Sequence, residues 1–327
     1  MVIKNKKTIL VTGGSGYIGS HVVRYFLDNN FNVINIDRLI FKHDSSIDLN
    51  NNTSYKFYNL DIRNIDEIKN KIKKVDHVVH LAALVGEKAC KRDEKETMSV
   101  NYEATIKLAK FSLDLGAKSF IFMSTASSYG VQDINQVADE NTKLNPVSSY
   151  AVSKINSEKD LLDSFSGKMK IFIFRPSTVH GISWRMRFDL IVNHLMKDAY
   201  LNNEITVLGP KMWRPLMWVG EPSRIFLNLI RNDEFYKNSE IFNLGVNSEN
   251  FQKIQIAEIM QKEIFPNLKI NIIDKDPDLR SYKVDFSKIE KVLNHKANLT
   301  IEDAMKGIFD SLKNKTYEPL SNEYYYN

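Results

Sequence analysis

The chain has 327 residues, of which 43% are hydrophobic and 26% are charged, and its formal net charge is +5. A chain of this length can bury a large core in roughly two domain-sized units. No apolar run approaches the ~20 residues that are needed to span a membrane. The chain also has no block of basic residues that would indicate nucleic-acid binding. Cys90 is the only cysteine, which excludes an intrachain disulfide and leads us to expect a cytoplasmic protein.

The start of the chain predicts a β-α-β unit. Residues 8–12 are almost entirely apolar, as expected of a strand that is buried on both faces. We do not expect a secretory signal peptide here, because it would need a longer apolar stretch and a cleavage site. Apolar residues then recur at helical spacing from Ile18 to Leu27, and residues 31–36 form a second strand that ends at Asp37. A strand, a helix and a strand within about thirty residues are typical of this unit.

Strands and helices continue to alternate up to residue 174. Further strands are predicted at residues 55–59, 77–81, 119–123 and 169–174. Helices are predicted between them at residues 65–73, 94–115 and 149–165. Such alternation predicts an α/β fold with a parallel, doubly wound sheet of the Rossmann type. We assign residues 1–175 to this domain.

After residue 176, strands and helices no longer alternate regularly. Helical patterns occur at residues 186–202, 222–231, 255–264 and 301–313, with short strands at residues 205–208 and 269–273. We interpret residues 176–327 as a smaller, mostly helical lobe that is partly interwoven with the first domain. Residues 322–327 include three consecutive tyrosines without periodicity, and we expect them at the surface.

A glycine-rich turn joins the first predicted strand to the first predicted helix. Gly13, Gly16 and Gly19 allow a tight turn, and their missing side chains let backbone amides approach a pyrophosphate. Asp37, at the end of the second strand, is placed to accept hydrogen bonds from a ribose diol. Its negative charge repels a 2′-phosphate and favours NAD over NADP, although the adjacent Arg38 weakens that distinction.

Asp61 follows the third predicted strand in the run Leu60-Asp61-Ile62-Arg63. Its carboxylate can accept a hydrogen bond from an adenine amino group. The same residue fits a turn or a helix cap equally well.

Tyr150 and Lys154 are four residues apart on a predicted helix, so that both side chains can face the same spot. A phenol titrates near ~10 in water, and a nearby cation favours the phenolate and lowers that pKa. Beside a nicotinamide, such a base can oxidise an alcohol or reduce a ketone. The pair therefore predicts an NAD-dependent oxidoreductase.

These motifs occur in an order that resembles the extended short-chain dehydrogenase/reductase family, specifically its nucleotide-sugar epimerases and dehydratases. The resemblance covers essentially the whole chain. Besides the glycines, Asp37 and the Tyr150/Lys154 pair, it rests on residues 61–64, residues 80–83, Asn101 and residues 124–130. It implies a seven-stranded Rossmann-type domain with a smaller substrate-binding lobe. It also implies a homodimer that pairs the helices predicted at residues 94–115 and 149–165.

The resemblance also implies roles for individual residues. Tyr150 matches the catalytic acid/base of the family. Lys154 matches the partner of that residue, which also holds the nicotinamide ribose. Thr125 matches the residue whose hydroxyl forms a hydrogen bond with the reacting oxygen. A Thr125 hydroxyl that is satisfied by the backbone is the alternative. The remaining cofactor contacts that it implies are Tyr17, Ile18, Ile62, Leu81, Ala82, Ala83 and Asn101.

The two positions after Thr125 separate the reactions within the family. Dehydratases of the family carry an Asp-Glu pair there, as the acid and base that remove water across C5–C6. This chain has Ala126 and Ser127 instead. Neither side chain transfers a proton at neutral pH, so we do not expect a 4,6-dehydratase.

Five residues are assigned to the substrate. Asn193, Arg214 and Arg280 match positions that bind the diphosphate, for which a guanidinium fork is geometrically suited. Arg187 can reach the phosphates or a sugar hydroxyl, or cap the following helix, and Ser127 is also assigned to the substrate. For a single arginine, a surface salt bridge is the alternative.

A narrower likeness is to the GDP-heptose 4-dehydrogenase branch, which acts in surface polysaccharide synthesis. It rests on residues 81–86, 90–92, 101–104, 181–190 and 276–282. It implies oxidation at C4 of a GDP-linked heptose or hexose.

Other activities fit the same residues. A 4-epimerase and a 4-ketoreductase use the same Tyr/Lys/Thr set. A non-catalytic NAD-binding regulator is a remote alternative, because such proteins commonly lose the Tyr/Lys pair. A metal hydrolase is not supported, since the seven histidines show no paired ligand spacing.

Overall fold

The structure is a computed structural model that describes residues 6–131, 136–278 and 280–327, apart from the side chains of residues 87–89. The strands are β1 (Thr8–Thr12), β2 (Asn32–Asp37), β3 (Tyr55–Asn59), β4 (His77–His80), β5 (Ser119–Met123), β6 (Val137–Ala138), β7 (Lys170–Pro176), β8 (Thr178–His180), β9 (Glu204–Leu208), β10 (Trp213–Trp218), β11 (Glu240–Leu244), β12 (Asn250–Gln252), β13 (Lys269–Ile273) and β14 (Lys283–Val284).

Helices flank these strands along the chain. The α-helices are α1 (Gly19–Asp28), α2 (Ile65–Lys71), α3 (Glu87–Arg92), α4 (Glu94–Met98), α5 (Ala104–Asp114), α6 (Ser149–Phe165), α7 (Ile191–Asn202), α8 (Glu221–Arg231), α9 (Lys253–Glu263), α10 (Ser287–Leu293) and α11 (Ile301–Lys313). Short 3₁₀ turns lie at Ile47–Leu49, Ala126–Tyr129, Asn247–Glu249 and Glu323–Tyr325, and a π-helical turn joins α4 to α5 at Ser99–Glu103. No helix in the described part of the chain is long and apolar enough to cross a membrane.

The main sheet has seven strands in the order β11-β7-β5-β4-β1-β2-β3. Every neighbouring pair from β7 to β3 is parallel. Because β1 lies between β2 and β4, the chain reverses its direction of travel across the sheet there. The carboxyl ends of the strands at such a switch point are where open α/β sheets bind ligands. The predicted Rossmann-type fold is confirmed.

A continuous apolar row fixes the register of the sheet. Ile34, Leu10, Val78, Phe120 and Ile171 are neighbours on successive strands. The last four are fully buried, and each contributes about 1.5–3 kcal/mol relative to an exposed side chain. This packing explains why the strands that the sequence predicts as apolar runs form a rigid platform.

The chain forms two compact units. The first comprises Met1–Thr125, Ser148–Arg175 and Pro222–Phe242, and the second comprises Ala126–Val147, Pro176–Glu221 and Asn243–Asn327. We keep the division into an NAD-binding domain of residues 1–175 and a substrate lobe of residues 176–327 as a proposal.

The second unit contains small sheets besides its helices. They have the orders β12-β10-β8, β13-β9 and β14-β6. The sequence indicated β9 and β13 only. The other strands were missed because they are short or because polar and apolar residues do not alternate along them. In β10, for example, Arg214 and Pro215 are both buried, between Trp213 and Trp218.

Most predicted helices are confirmed, and two need correction. Helices α6 and α11 have the predicted bounds, whereas the helix predicted at residues 94–115 is interrupted by the π-helical turn. The helix predicted at residues 186–202 begins only at Ile191, after an extended Leu190. The reason is tertiary: the backbone N–H of Phe188 donates to the carbonyl of Tyr325 at 2.9 Å instead of joining a helical turn.

The prediction that residues 322–327 lie at the surface is wrong for Tyr325. Its side chain is 5% exposed, and its ring packs edge-on against Phe188 and Tyr317. Tyr325 is buried although its segment has no periodicity, because partners from elsewhere in the sequence cover it.

Candidate active site

The glycine-rich turn between β1 and α1 packs backbone against backbone. Gly13 has φ +74°, and a Cβ on it would lie 2.7 Å from the backbone nitrogen of Ala82. A Cβ on Gly19 would lie 2.0 Å from the carbonyl oxygen of Gly13. The turn therefore tolerates only glycine at these positions. It opens α1, whose N-terminal amides suit a phosphate.

Asn35 supports this turn from β2, and the sequence reasoning missed it. The side chain is fully buried. Its Oδ1 accepts from the backbone nitrogen of Gly14 at 3.0 Å, and its Nδ2 donates to Ser15 Oγ and to the hydroxyl of Tyr55. The available signal was an amide in the middle of an apolar strand, because a buried polar group needs partners.

The carboxylate of Asp37 is held beside the same turn. One oxygen accepts from the backbone nitrogen of Ser15 at 3.1 Å and the other from that of Leu39 at 2.9 Å. The charge thus lies at the carboxyl end of β2, next to the turn, which is consistent with the ribose position expected from the sequence. The role itself stays a prediction.

Arg38 is engaged by acidic partners. Its guanidinium lies 3.1 Å from Asp61 and 3.1 Å from Glu96. These two carboxylates offset the positive charge of Arg38. Arg38 therefore weakens the preference for NAD over NADP less than its position beside Asp37 led us to expect. A 2′-phosphate would meet this acidic environment.

Asp61 is bound by two arginines. Besides Arg38, Arg63 lies 2.6 Å away and also donates its backbone N–H to the same carboxylate. Burial raises the pKa of Asp61, but the hydrogen bonds from both arginines outweigh it and lower the pKa to about 2. The hydrogen bond from the backbone N–H of Arg63 fits the alternative that Asp61 stabilises a turn. The N-cap of α2 is Asn64 and not Asp61. The adenine contact stays a prediction.

The other predicted cofactor residues lie around the ends of β1, β3 and β4. Gly16 donates its N–H to Gly13 at 3.1 Å, Tyr17 is buried, and Ile18 directly precedes α1. Ile62 is 5% exposed and belongs to the apolar core, so its side chain is a packing element. Half-buried positions directly after β4 are occupied by Leu81, Ala82 and Ala83.

A buried chain of hydrogen bonds links β1, β4 and α5. The hydroxyl of Thr105 donates to the carbonyl of Asn101, so it accepts from Nε2 of His80 at 2.8 Å. Nδ1 of His80 then accepts from the hydroxyl of Thr12 at 2.6 Å. Burial, together with the nearby charge of Lys154, lowers the pKa of His80 to about 3. His80 is therefore neutral and has a defined tautomer.

Asn101 connects the segment after β4 to α6. Its amide pairs with both the N–H and the carbonyl of Leu84, at 2.8 and 2.9 Å, and donates to Ser153 Oγ at 3.3 Å. Ser153 in turn donates to the carbonyl of Tyr150 at 2.7 Å. Asn101 lies in the π-helical turn, a feature that is frequent at functional sites. Its contacts position the chain, and its contact with NAD stays a prediction.

Helix α6 carries Tyr150 and Lys154. Ser148 caps its N-terminus by accepting from the backbone nitrogen of Ala151. Tyr150 is partly exposed, whereas Lys154 is 2% exposed and its ammonium lies 4.4 Å above the ring centre of Phe122. Burial lowers the pKa of Lys154 to about 7.

Thr125 follows β5 and is 6% exposed. The hydroxyl of the preceding Ser124 donates to Glu158, which lies one helical turn after Lys154 and pairs with Arg175 at 2.6 Å. These three side chains are almost completely buried. Since removing one partner of a buried ion pair is costly, the network fixes the end of β5 against α6.

In the second unit, the structure brings Ser127, Arg214 and Arg280 together. Arg280 donates to Ser127 Oγ at 2.9 Å and pairs with Asp278 at 2.7 Å, and Arg214 lies 3.1 Å from Asp278. Arg214 also donates to the carbonyl of Arg280. Burial raises the pKa of Asp278, but the two arginines hold it well below the usual range. Leu279, quoted in the predicted motif, lies outside the described residues.

Arg187 and Asn193 form a second group in this unit. Asn193 is fully buried. Its Oδ1 accepts from the backbone nitrogen of Gly181 at 3.0 Å, and its Nδ2 donates to the carbonyl of Arg187 at 2.8 Å. The guanidinium of Arg187 pairs with Asp189. Asn193 therefore holds the backbone that carries Arg187, and a bond from Asn193 to a diphosphate stays a prediction.

Comparison with known proteins decides the family. Residues 9–245 match the NAD dependent epimerase/dehydratase family. The chain belongs to this family. The predicted family and its NAD cofactor are thereby confirmed.

Some relatives in this family are named for UDP sugars. A putative UDP-glucose 4-epimerase of Methanocaldococcus jannaschii is 28% identical over 314 residues, which cover 94% of this chain and 98% of the relative. The UDP-glucuronate 4-epimerase of Thermodesulfobacterium geofontis is 27% identical over 312 residues, or 91% and 93% of the two chains. The crystal structure of a UDP-glucose 4-epimerase from Thermotoga maritima has a TM-score of 0.83 at 22% identity, covering 94% and 99%.

The residues around the glycine-rich turn of this epimerase/dehydratase family member fit NAD. Gly13 and Gly19 leave no room for side chains, and the turn that they form opens α1, whose N-terminal amides suit a phosphate. Asp37 supplies a hydrogen-bond acceptor, and the ammonium of Lys154 is held in a buried position on α6. These groups match a pyrophosphate, a ribose diol and a nicotinamide ribose in chemistry.

Replacing Lys154 is expected to stabilise the NAD-free protein. The pKa of Lys154 is about 7 in the fold and near ~10.4 in an unfolded chain. Between pH 7 and about pH 10.4, the unfolded state therefore binds more protons than the folded state. For this reason the free energy of unfolding of the wild-type protein increases as the pH rises through this range. Lys154→Met should raise the free energy of unfolding by at least about 1 kcal/mol at pH 7, and the difference from wild type should shrink towards pH 10.

Chemical unfolding at pH 7, 8.5 and 10 measures this difference. Lys159→Met on the exposed face of α6 is the matched control and should change stability by less than about 0.5 kcal/mol. A Lys154→Met protein that is less stable than wild type at every pH would contradict the expectation.

Proposed function

We propose that this protein is an NAD-dependent nucleotide-sugar 4-epimerase whose substrate is a UDP-linked hexose. The observation that carries the proposal is the position of Tyr150 one helical turn before the buried Lys154 on α6, in a family member that has Ala126 and Ser127 after Thr125. The names of the relatives, UDP-glucose and UDP-glucuronate 4-epimerases, support the choice of nucleotide and reaction.

The chemistry of the proposal needs one proton to move twice. The phenolate of Tyr150 removes the proton from the C4 hydroxyl of the sugar, while Lys154 favours the charged phenolate. Thr125 donates a hydrogen bond to the reacting oxygen and aligns it. NAD, when bound, supplies the acceptor and donor of hydride at the same carbon. Tyr150 returns the proton when the hydroxyl forms again with the opposite configuration.

NAD would be held by the glycine-rich turn, by Asp37 and by Lys154. The turn offers backbone amides to the pyrophosphate, and Asp37 offers its carboxylate to the adenosine ribose. Lys154 would serve both the nicotinamide ribose and Tyr150.

The diphosphate of the substrate would be bound in the second unit. Arg214, Arg280 and Lys253 carry three positive charges, and Asp276 and Asp278 carry two negative charges. The cluster therefore retains an excess positive charge for an anion. Asp278 orients both guanidinium groups, and such a fork suits phosphate oxygens.

A net 4-dehydrogenase of a GDP-linked heptose or hexose, acting in surface polysaccharide synthesis, is the second candidate. The resemblance of residues 181–190 and 276–282 to the GDP-heptose 4-dehydrogenase branch favours it. It would use the same Tyr150, Lys154 and Thr125, but the ketone would leave as product. For either activity, we propose a homodimer that pairs α4–α5 and α6 with their copies.

One incubation distinguishes these activities. Purified protein is incubated with UDP-glucose, UDP-glucuronate, a GDP-hexose and a GDP-heptose, and products are analysed by NMR, mass spectrometry and absorbance of NADH. An inverted C4 at unchanged mass without net NADH supports the epimerase. A loss of two mass units with stoichiometric NADH replaces it by the dehydrogenase. If none of the nucleotide sugars reacts, the proposed function is wrong.

A further inference from the structure

Residues 181–190, the substrate loop, join β8 to α7 without regular secondary structure. Nevertheless, the side chains of Ser183, Arg185, Met186 and Phe188 are all buried. A loop of this length normally runs over the surface, because its backbone groups need hydrogen-bond partners. Its burial therefore requires partners from another part of the chain.

Those partners come from residues 317–327, the tyrosine segment. The hydroxyl of Tyr317 donates to the carbonyl of Ser183 at 3.0 Å. The carbonyl of Tyr325 accepts from the backbone nitrogen of Phe188 at 2.9 Å. Three hydrogen bonds thus tie the two segments together, the third being from Arg185 to the Asn327 side chain at 2.7 Å.

Three aromatic rings close the contact between the segments. Phe188, Tyr317 and Tyr325 pack pairwise edge to face, with ring centres 5.5 to 5.9 Å apart. This is the preferred geometry for aromatic pairs. Burial raises the pKa of Tyr317 to about 12, so its hydroxyl stays a donor at neutral pH.

Helix α7 also holds the loop. Asn193 accepts from Gly181 at the start of the loop and donates to the carbonyl of Arg187 in its middle. Arg187 itself remains half-buried, with its guanidinium on Asp189. The loop thus contacts the tyrosine segment through Ser183, Arg185 and Phe188. It also carries an arginine that is still partly accessible.

We propose that the tyrosine segment is a positioning element of the substrate site, which holds the substrate loop so that Arg187 meets the anionic part of the nucleotide sugar. This inference rests on the proposed function. Because Tyr150, Lys154 and Thr125 belong to the other unit, loosening the loop should weaken substrate binding without altering the chemical step.

The test separates KM from kcat. Tyr325→Ala removes the ring that contacts Phe188 and Tyr317 and should raise KM for the nucleotide sugar about tenfold, with kcat changed less than about threefold. The Kd for NAD should stay at the wild-type value. Tyr325→Phe keeps the ring and should restore the wild-type KM.

Phe309→Ala is the matched control. Phe309 lies in the same unit and packs edge-on against Tyr200 and Phe265, with ring centres 6.2 and 5.4 Å away. Its loss removes an aromatic ring from a comparable three-ring cluster. A rise in KM that is no larger for Tyr325→Ala than for Phe309→Ala would overturn the inference.

Limited proteolysis tests the loop without relying on activity. Trypsin cleaves after arginine, and a protein that lacks residues 322–327 should be cut after Arg185 and Arg187 at least about tenfold faster than wild type, since cleavage requires local opening. Equal cleavage rates would show that the segment does not hold the loop. A wild-type protein that converts no nucleotide sugar would refute the proposed function and the binding role, while this cleavage rate decides the structural part separately.

Discussion

Tyr150→Phe is expected to lower kcat by about 10²–10⁴-fold, the usual contribution of a positioned acid/base. The substitution removes only the phenolic oxygen and keeps the ring at the start of α6. The neighbouring contacts, from Ser153 to the Tyr150 carbonyl and from Ser148 to Ala151, involve other atoms. NAD affinity and the free energy of unfolding should therefore stay close to those of wild type.

Steady-state kinetics on the reactive nucleotide sugar measure this loss. Tyr102→Phe is the control, because the Tyr102 hydroxyl bonds Asp160 on α6 instead of facing the proposed chemistry. It should retain kcat within about twofold. A Tyr150→Phe enzyme that keeps more than about a tenth of wild-type kcat would remove Tyr150 from the role of proton carrier.

Gly13→Ala is expected to abolish measurable NAD binding and to destabilise the fold. An added Cβ meets two obstacles: the backbone has φ +74°, and the nitrogen of Ala82 is 2.7 Å away. The positive φ alone costs about 1 kcal/mol. The clash must additionally displace either the turn or the segment after β4, both of which are expected to contact the cofactor.

Gly116→Ala isolates the contribution of the clash. Gly116 has φ +77°, close to that of Gly13, but a Cβ there meets no atom within 4 Å. It should lose only about 1 kcal/mol of stability and bind NAD normally. Calorimetric titration with NAD and thermal unfolding of both variants give the comparison. Equal behaviour of the two variants would show that close packing at Gly13 is unimportant.

Much of the cofactor domain could be predicted because its signals are local. The ends of helix α6 and strand β5 were predicted correctly. In each of them the apolar residues keep a single periodicity, and polar or turn residues mark where it begins and ends. Asp37 was found because a strand end beside a glycine turn has a defined place in the β-α-β unit. Pairs such as Tyr150 and Lys154 need only one helical turn to meet.

Contacts between distant segments could not be predicted in this way. Asn35 looked like an ordinary strand residue until Gly14 and Tyr55 were placed around it. Arg38 looked able to bind a 2′-phosphate until Asp61 and Glu96 were seen on it. In each case the deciding partner is 20 or more residues away, and its approach depends on the whole sheet.

The amino-acid sequence by itself determined the Rossmann-type sheet and the spacing of Tyr150 and Lys154, because glycines, apolar periodicity and helical spacing act over a few residues. The order of its motifs indicated the family, which the comparison with known proteins confirmed. Only the tertiary structure decided that Lys154 is buried with a lowered pKa and that Arg214 and Arg280 share Asp278. It also decided that the tyrosine segment is packed against the substrate loop. Burial and pairing are properties of surroundings, and surroundings are built by segments that lie far apart in the chain.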